Sequence, residues 1–96
     1  MSQEIPSVAI FEPVPGKEKE CAITMRELFS ALLTGGYSRD LLYRDDNSQY
    51  VLVRYWKSEE ARRAAQEDPE VQRCWAKLGN EIKIVKVYET LQEVNL

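Results

Sequence analysis

The order of apolar patterns along the chain constrains its fold more than any other feature. Two stretches repeat their apolar residues at helical spacing, and four shorter stretches are rich in the β-branched and aromatic residues that are typical of strands. Turn-forming residues separate these six segments, and no length remains for a linker. The sequence predicts strands at residues 5–11, 37–44, 49–56 and 81–90, and helices at residues 17–34 and 58–78.

The two predicted helices have recognisable apolar stripes and ends. Gly35 and Gly36 are expected to end the first helix, because glycine adopts the left-handed cap conformation at little cost. The second helix is expected to break and restart at Asp68 and Pro69, since proline is tolerated at the first helical position. The buried stripe of the first helix is predicted to be Met25, Leu28, Phe29, Leu32 and Leu33, and that of the second Val71, Cys74, Trp75 and Leu78.

The resulting order, β-α-β-β-α-β, is that of the ferredoxin-like split βαβ motif. Its architecture is α+β, with one antiparallel sheet and two helices on one face. A length of 96 residues fits one domain. We therefore expect residues 1–96 to form a single ferredoxin-like domain.

The predicted strands carry large apolar side chains on both faces, which points to a partner. Two helices cover only one face of such a sheet, and an exposed apolar patch of that size usually marks an interface. The simplest cover is a second copy related by a two-fold axis, so the sequence predicts a homodimer. In the third strand Leu52 and Trp56 alternate with Val53 and Tyr55; in the last strand Ile82, Ile84 and Tyr88 are assigned to one face and Val85, Val87 and Leu91 to the other.

Charge and composition exclude several other classes of function. Sixteen acidic and 13 basic residues give a net charge of −3, which argues against nucleic acid as the main partner. The RNA-recognition module shares the strand order, but its exposed aromatic and basic residues have no counterpart here. Residues 1–6 do not look like a leader, and no apolar run is long enough for a membrane span. These features, with two widely separated cysteines, predict a cytoplasmic protein.

Three short stretches carry a resemblance to a known family. They are Pro-Gly-Lys-Glu at 15–18, Tyr-Val-Leu-Val-Arg-Tyr-Trp-Lys-Ser-Glu-Glu-Ala at 50–61, and Asp-Pro at 68–69. The tryptophan at the strand end, followed by Ser-x-x-Ala, is the most specific part. On these residues, the chain resembles the antibiotic-biosynthesis monooxygenase family over about residues 5–90. The resemblance implies a dimeric α+β barrel.

The resemblance implies two kinds of function, and both stay open. One is a cofactor-free monooxygenase that acts on a small phenolic molecule, and the other is a non-catalytic small-molecule-binding or accessory barrel. Many members carry a histidine where this chain has Ala65, and the chain has no histidine at all. The haem-degrading branch uses three residues whose positions correspond here to Ala9, Ala65 and Trp75, so haem oxygenation is not expected. Neither a cofactor nor a metal is expected.

Four residues are the candidates for lining a pocket: Arg54, Trp56, Trp75 and Tyr88. For the two tryptophans core packing is the first expectation, because large aromatic residues dominate cores, and a place in a pocket wall is the second. Tyr88 supplies a phenol that could orient a substrate oxygen. No catalytic residue is assigned, and Cys74 has no histidine to activate it as a nucleophile.

Arg54 is the most informative of the four candidates. It shares a strand face with Leu52 and Trp56, so its side chain is expected to point toward the buried side. A buried arginine needs a paired carboxylate or an anionic ligand. A structural salt bridge is the first expectation and ligand binding the second; the acidic residues available for pairing are Glu12, Asp40 and Glu89.

Overall fold

The computed structural model describes residues 4–96. Residues 1–3, which begin the stretch considered above as a leader, lie outside the described residues. Among the residues described, no helix is long and apolar enough to cross a membrane. The elements are β1 Ile5–Pro13, α1 Glu18–Thr34, β2 Ser38–Arg44, β3 Tyr50–Trp56, α2 Glu59–Glu67, α3 Pro69–Leu78 and β4 Ile82–Tyr88.

The four strands form one antiparallel sheet in the order β2-β3-β1-β4. The helices lie on one face of this sheet, which confirms the predicted α+β, ferredoxin-like fold. The β2–β3 hairpin closes through a turn in which the Asp45 carboxylate accepts the backbone N–H groups of Asn47 and Gln49, each at 2.9 Å. Ser48 follows with a positive φ of 64°. The predicted turn is therefore formed by the residues assigned to it.

The helix ends follow the local signals in the sequence. Gly36 takes a φ of 71° just after α1, a conformation that glycine adopts without strain. Ser58 caps α2, and its hydroxyl accepts the Ala61 N–H at 3.0 Å. Asp68 interrupts the second helix as predicted: its extended backbone ends α2, and its carboxylate accepts the Glu70 N–H at the start of α3 at 2.9 Å.

β4 contains an irregularity that the sequence did not indicate. Phe11 pairs with Ile84, whereas Ile10 pairs with Lys86, so the register with β1 shifts by one residue at Val85. Side chains along a strand alternate between the two faces of the sheet, and the bulge inserts one extra residue into this alternation. Two residues an even number of positions apart, one before and one after the bulge, therefore lie on opposite faces. The prediction that Ile82, Ile84 and Tyr88 share one face is therefore wrong.

The core lies between the helix-covered face of the sheet and the inner sides of α1 and α3. Its members are nearly inaccessible to solvent and form one continuous cluster. Leu33, predicted to be part of the α1 stripe, is instead 67% exposed. The buried cluster consists of Phe11, Cys21, Met25, Leu28, Leu32, Leu52, Trp56, Ala65, Val71, Cys74 and Leu78.

The opposite face of the sheet, which we call the open face, is not covered by any described element. In the register of the sheet, Val53 lies between Val8 of β1 and Leu41 of β2. Tyr88 pairs with Val8 on the far side. Leu41 is 43% and Tyr43 56% exposed. The open face thus presents an apolar patch to solvent.

Candidate ligand-binding site

A cavity of about 180 Å³ lies between the helix-covered face of the sheet and the helices α2 and α3. Three strands form its floor and two helices form its opposite wall. The strand residues are Ser7, Val8, Ala9, Leu52, Arg54, Trp56, Val87 and the adjoining Glu89, and the helix residues are Arg62, Gln66 and Trp75.

Small side chains on β1 leave the space for this cavity. Ser7, Ala9 and Phe11 follow one another on the helix-covered face, opposite Arg54, Leu52 and Tyr50 of β3. The Phe11 ring is 1% exposed and stacks on the Tyr50 ring at a centroid distance of 5.4 Å, which fills one end of the sheet. At the other end Ser7 and Ala9 lack the volume to reach the helices.

Arg54 is paired with a carboxylate, as its first interpretation predicted. Asp40 lies directly opposite on β2 and accepts two parallel hydrogen bonds, from Arg54 Nε at 3.0 Å and from Nη2 at 3.1 Å. The side chains are 11% and 1% exposed, and Ser38 also donates to Asp40, at 3.2 Å. This fork geometry neutralises the guanidinium charge at the cavity floor.

The two tryptophans line the same cavity from opposite sides. Trp56 closes the end of β3 and is 5% exposed, with the Arg54 guanidinium carbon 5.4 Å from its ring centroid. Trp75 lies on α3, half-buried against the core cluster. The structure therefore brings together three of the four residues singled out from the sequence: Arg54, Trp56 and Trp75.

Tyr88 does not join them. It pairs with Val8 on the open face, is 40% exposed, and has the Lys86 ammonium 5.1 Å from its ring centroid. The bulge at Val85 causes this separation, because it brings Val87 rather than Tyr88 to the helix-covered face. Tyr88 thus belongs to the open face and not to the cavity.

Sequence reasoning missed two polar residues at the cavity, Arg62 and Gln66, and considered Glu89 only as a pairing partner for Arg54. Arg62 and Gln66 are four residues apart and therefore share one side of α2. Arg62 Nη1 donates to the Thr90 hydroxyl at 3.0 Å, which ties α2 to the chain after β4. Their i, i+4 spacing was a usable signal, but α2 has too few apolar residues to show which side faces inward.

Neither cysteine lines the cavity. Both Cys21 and Cys74 are buried, free thiols. Burial raises the pKa of each thiol above its ordinary value, so both stay protonated at neutral pH. Among residues 4–96, no three histidine, cysteine, aspartate or glutamate side chains converge as a group that could hold a metal ion.

Two larger concavities lack the two tryptophan walls of this cavity. One, of about 480 Å³, runs along the outer side of α1 beside Ile23 and Ala31. The other, of about 690 Å³, lies between Tyr55 and the chain after β4. We therefore take the smaller cavity between sheet and helices as the candidate site.

Neither a family model nor a curated protein sequence matches the chain. Solved structures match over nearly its whole length. A candidate antibiotic biosynthesis monooxygenase from Chloroflexus aurantiacus is 18% identical, with a TM-score of 0.76 over 97% of this chain and 96% of that one. The protein PA3566 from Pseudomonas aeruginosa is 16% identical, with a TM-score of 0.78 over 98% of each chain.

A third similar structure is SnoaB, a cofactor-independent oxygenase from Streptomyces nogalater. It is 18% identical, with a TM-score of 0.67 over 97% of this chain and 98% of that one. At these identities the likeness establishes the fold. The fold of this chain is therefore that of antibiotic-biosynthesis monooxygenase structures, as the resemblance in the sequence implied.

Proposed function

We propose that the protein binds a small aromatic or phenolic molecule in the cavity between sheet and helices and oxygenates it without a cofactor. The observation that carries this proposal is the convergence of Trp56, Trp75 and Arg54 on one cavity of about 180 Å³. Aromatic walls with a few polar groups are typical of small-molecule sites. The fold shared with SnoaB, a cofactor-independent oxygenase, supports the reaction class.

The proposed reaction balances without an external reductant. A phenol with a free para position and one O₂ give a quinone and one water: one oxygen atom enters the ring carbon, and the other leaves with two hydrogen atoms. The substrate supplies the electrons, so the protein needs only to bind it, favour its phenolate and exclude water. Glu89, the carboxylate among the residues that line the cavity, would accept the phenol proton.

A non-catalytic binding or accessory role is the second candidate. It is favoured by the bidentate pairing of Arg54 with Asp40, because that guanidinium is already neutralised and offers little charge to a developing anion. Under this proposal, the cavity still takes an aromatic ligand, but oxygen is not consumed.

One experiment separates the two candidates. The chain contains two tryptophans, and both line the cavity, so intrinsic fluorescence reports on binding. A panel of one-, two- and three-ring phenols is titrated into the protein and then incubated in an oxygen electrode. Saturable quenching with oxygen uptake and quinone formation supports the oxygenase, quenching with no uptake supports the binding module, and no quenching with any phenol contradicts both.

We also propose that the whole chain works as one domain of a cytoplasmic homodimer that buries the open face. The exposed apolar side chains of that face support the dimer, and two free thiols suit a reducing compartment. Val53→Asp, at the centre of the face, should convert a dimer to a monomer in light scattering. Leu33→Asp, on the solvent side of α1, should leave the dimer intact. A wild-type monomer at micromolar concentration contradicts this part.

A further inference from the structure

We infer that the ligand of this cavity is a single-ring aromatic acid that also carries a hydroxyl group. In this arrangement the ring lies between the tryptophans, the carboxylate contacts Arg62, and the hydroxyl donates to Glu89. The inference rests on the proposed function, since it names the class of molecule that the same cavity takes.

The volume of the cavity favours a small ligand. Pockets for drug-sized molecules measure about 300–1,000 Å³, whereas an apolar cavity of about 150 Å³ already holds a benzene molecule. The present cavity, at about 180 Å³, has room for one ring with small substituents. Trp56 and Trp75 offer aromatic surfaces for that ring. The small side chain of Ala9 leaves space for the ring between the sheet and the helices.

The charges at the cavity define what the substituents are. Arg54 is satisfied by Asp40, so its charge is already compensated. Arg62 has no carboxylate within 4.0 Å among residues 4–96, and its hydrogen bond goes to a neutral hydroxyl, that of Thr90. A half-buried guanidinium with unused donors favours a planar carboxylate, which it binds through two parallel hydrogen bonds.

Glu89 supplies the complementary acceptor. It comes directly after β4, two residues beyond Val87, and lines the same cavity, and none of the described basic side chains forms a salt bridge with it. A carboxylate accepts hydrogen bonds and repels a second anion. A hydroxyl group opposite the ligand's acid group would therefore suit Glu89, whereas a second carboxylate would not.

Isothermal titration calorimetry with matched ligands tests this inference on the full chain. The ortho, meta and para hydroxybenzoates are titrated first, and the tightest isomer is compared with its uncharged carboxamide and with benzoate. A charge-assisted hydrogen bond contributes about 1.5–3 kcal/mol, so the wild type should prefer the acid over the carboxamide by about tenfold or more. The hydroxyl should improve binding over benzoate.

Variants assign the two contacts to their residues. Arg62→Gln should remove the preference for the acid over the carboxamide, and Glu89→Gln should reduce the advantage of the hydroxyl and strengthen benzoate binding. Arg63→Gln is the matched control, because Arg63 is the next residue on α2, is 76% exposed, forms its salt bridge with Glu59 at 4.0 Å, and does not line the cavity. It should leave every affinity unchanged. Thermal melting confirms that each variant is folded.

The outcomes distinguish this inference from the proposed function. Equal binding of acid and carboxamide in wild type and Arg62→Gln overturns the inference, while the aromatic site stands. Binding confined to two- and three-ring phenols overturns the size argument and likewise leaves the proposed function in place. Absence of binding by every aromatic compound in both panels overturns the inference and the proposed function together.

Discussion

The two ends of the helix-covered face of the sheet differ sharply, although the same strands build both. At one end Phe11 of β1 is 1% exposed and belongs to the same apolar cluster as Leu28 and Leu32 of α1. At the other end Ser7 and Ala9 of the same strand leave a cavity bordered by charged residues. One end is therefore filled with side chains, and the other contains a cavity.

The core is less tightly packed at the cavity end than at the filled end. A protein interior normally contains few voids larger than a water molecule, and filling them would add stability. The cavity end instead holds a buried ion pair, Arg54 with Asp40, whose desolvation offsets much of its attraction. We therefore expect the filled end to contribute more to stability than the cavity end, apart from its ion pair, and expect ligand binding to depend on the cavity end.

The largest effect is expected at the ion pair of the cavity end. Asp40→Asn removes the counter-charge of Arg54 but keeps the size of the side chain. Breaking one partner of a buried pair typically costs about 3–5 kcal/mol, because an uncompensated charge remains. Urea denaturation should therefore show a loss of that order in the free energy of unfolding.

The double variant Asp40→Leu with Arg54→Met is the control for this prediction. Replacing both charges with apolar side chains of similar volume is often close to neutral. We expect it to recover most of the stability that Asp40→Asn loses. If the double variant is as unstable as the single one, the pair is needed for more than mutual compensation.

At the filled end the expected effect is that of a cavity in a tight core. Leu32 is 0% exposed, and Leu32→Ala should lower the free energy of unfolding by about 2–5 kcal/mol. Leu33, the next residue of α1, is 67% exposed, so Leu33→Ala should cost less than about 0.5 kcal/mol. Equal losses for the two variants would mean that α1 is not packed as described.

Filling the cavity with a larger side chain should abolish ligand binding but change the free energy of unfolding only slightly. Ala9→Leu adds a branched side chain to the floor beside Leu52 and Trp56. Because space exists there, we expect a stability change smaller than the 1–3 kcal/mol that is common for overpacking a filled core. Binding of aromatic ligands should be lost in the fluorescence titration. Destabilisation by about 3 kcal/mol or more would mean that the cavity end is packed as tightly as the filled end. Unchanged binding would mean that the ligand does not occupy this cavity.

Much of the fold follows from local sequence signals. The glycine stop and the break at Asp68 and Pro69 reflect residues whose conformational preferences act within a few positions. The helical spacing of α1 likewise predicted most of its buried side, although not at Leu33. The pairing of Arg54 with a carboxylate could also be predicted from the sequence. A charged residue that shares a strand face with buried apolar residues needs an oppositely charged partner. Asp40 was among the three carboxylates considered.

The remaining part of the site depends on features that single residues do not reveal. The bulge at Val85 is set by the pairing of β4 with β1, and it moved Tyr88 to the open face against the expected parity. The inward side of α2 is set by how the helix docks, which is why Arg62 was missed. Leu33 fits a helical stripe but lies beyond the width of the core.

The smallest expected effect concerns the contact that holds α2 and α3 in position over the cavity end. Tyr37 donates its phenol hydrogen to the Asp68 carboxylate at 2.8 Å, just where α2 ends and α3 begins. This hydrogen bond is the main cause of the lowered pKa of Asp68, with help from the backbone N–H groups of Glu70 and Val71. Asp68 is ionised at neutral pH, so Tyr37→Phe should lower the melting temperature modestly there.

The pH dependence of that loss follows from the direction of the pKa shift. A carboxyl whose pKa is lower in the folded state stabilises the fold above its ordinary pKa, here 3.8, and loses this contribution as the pH falls through the folded value. The difference in melting temperature between wild type and Tyr37→Phe should therefore shrink below about pH 4. Tyr43→Phe, on the exposed part of β2, is the control and should show no such trend. A difference that stays constant into acid would mean that the tyrosine acts by packing, and that the ionised Asp68 does not fix the helices over the cavity.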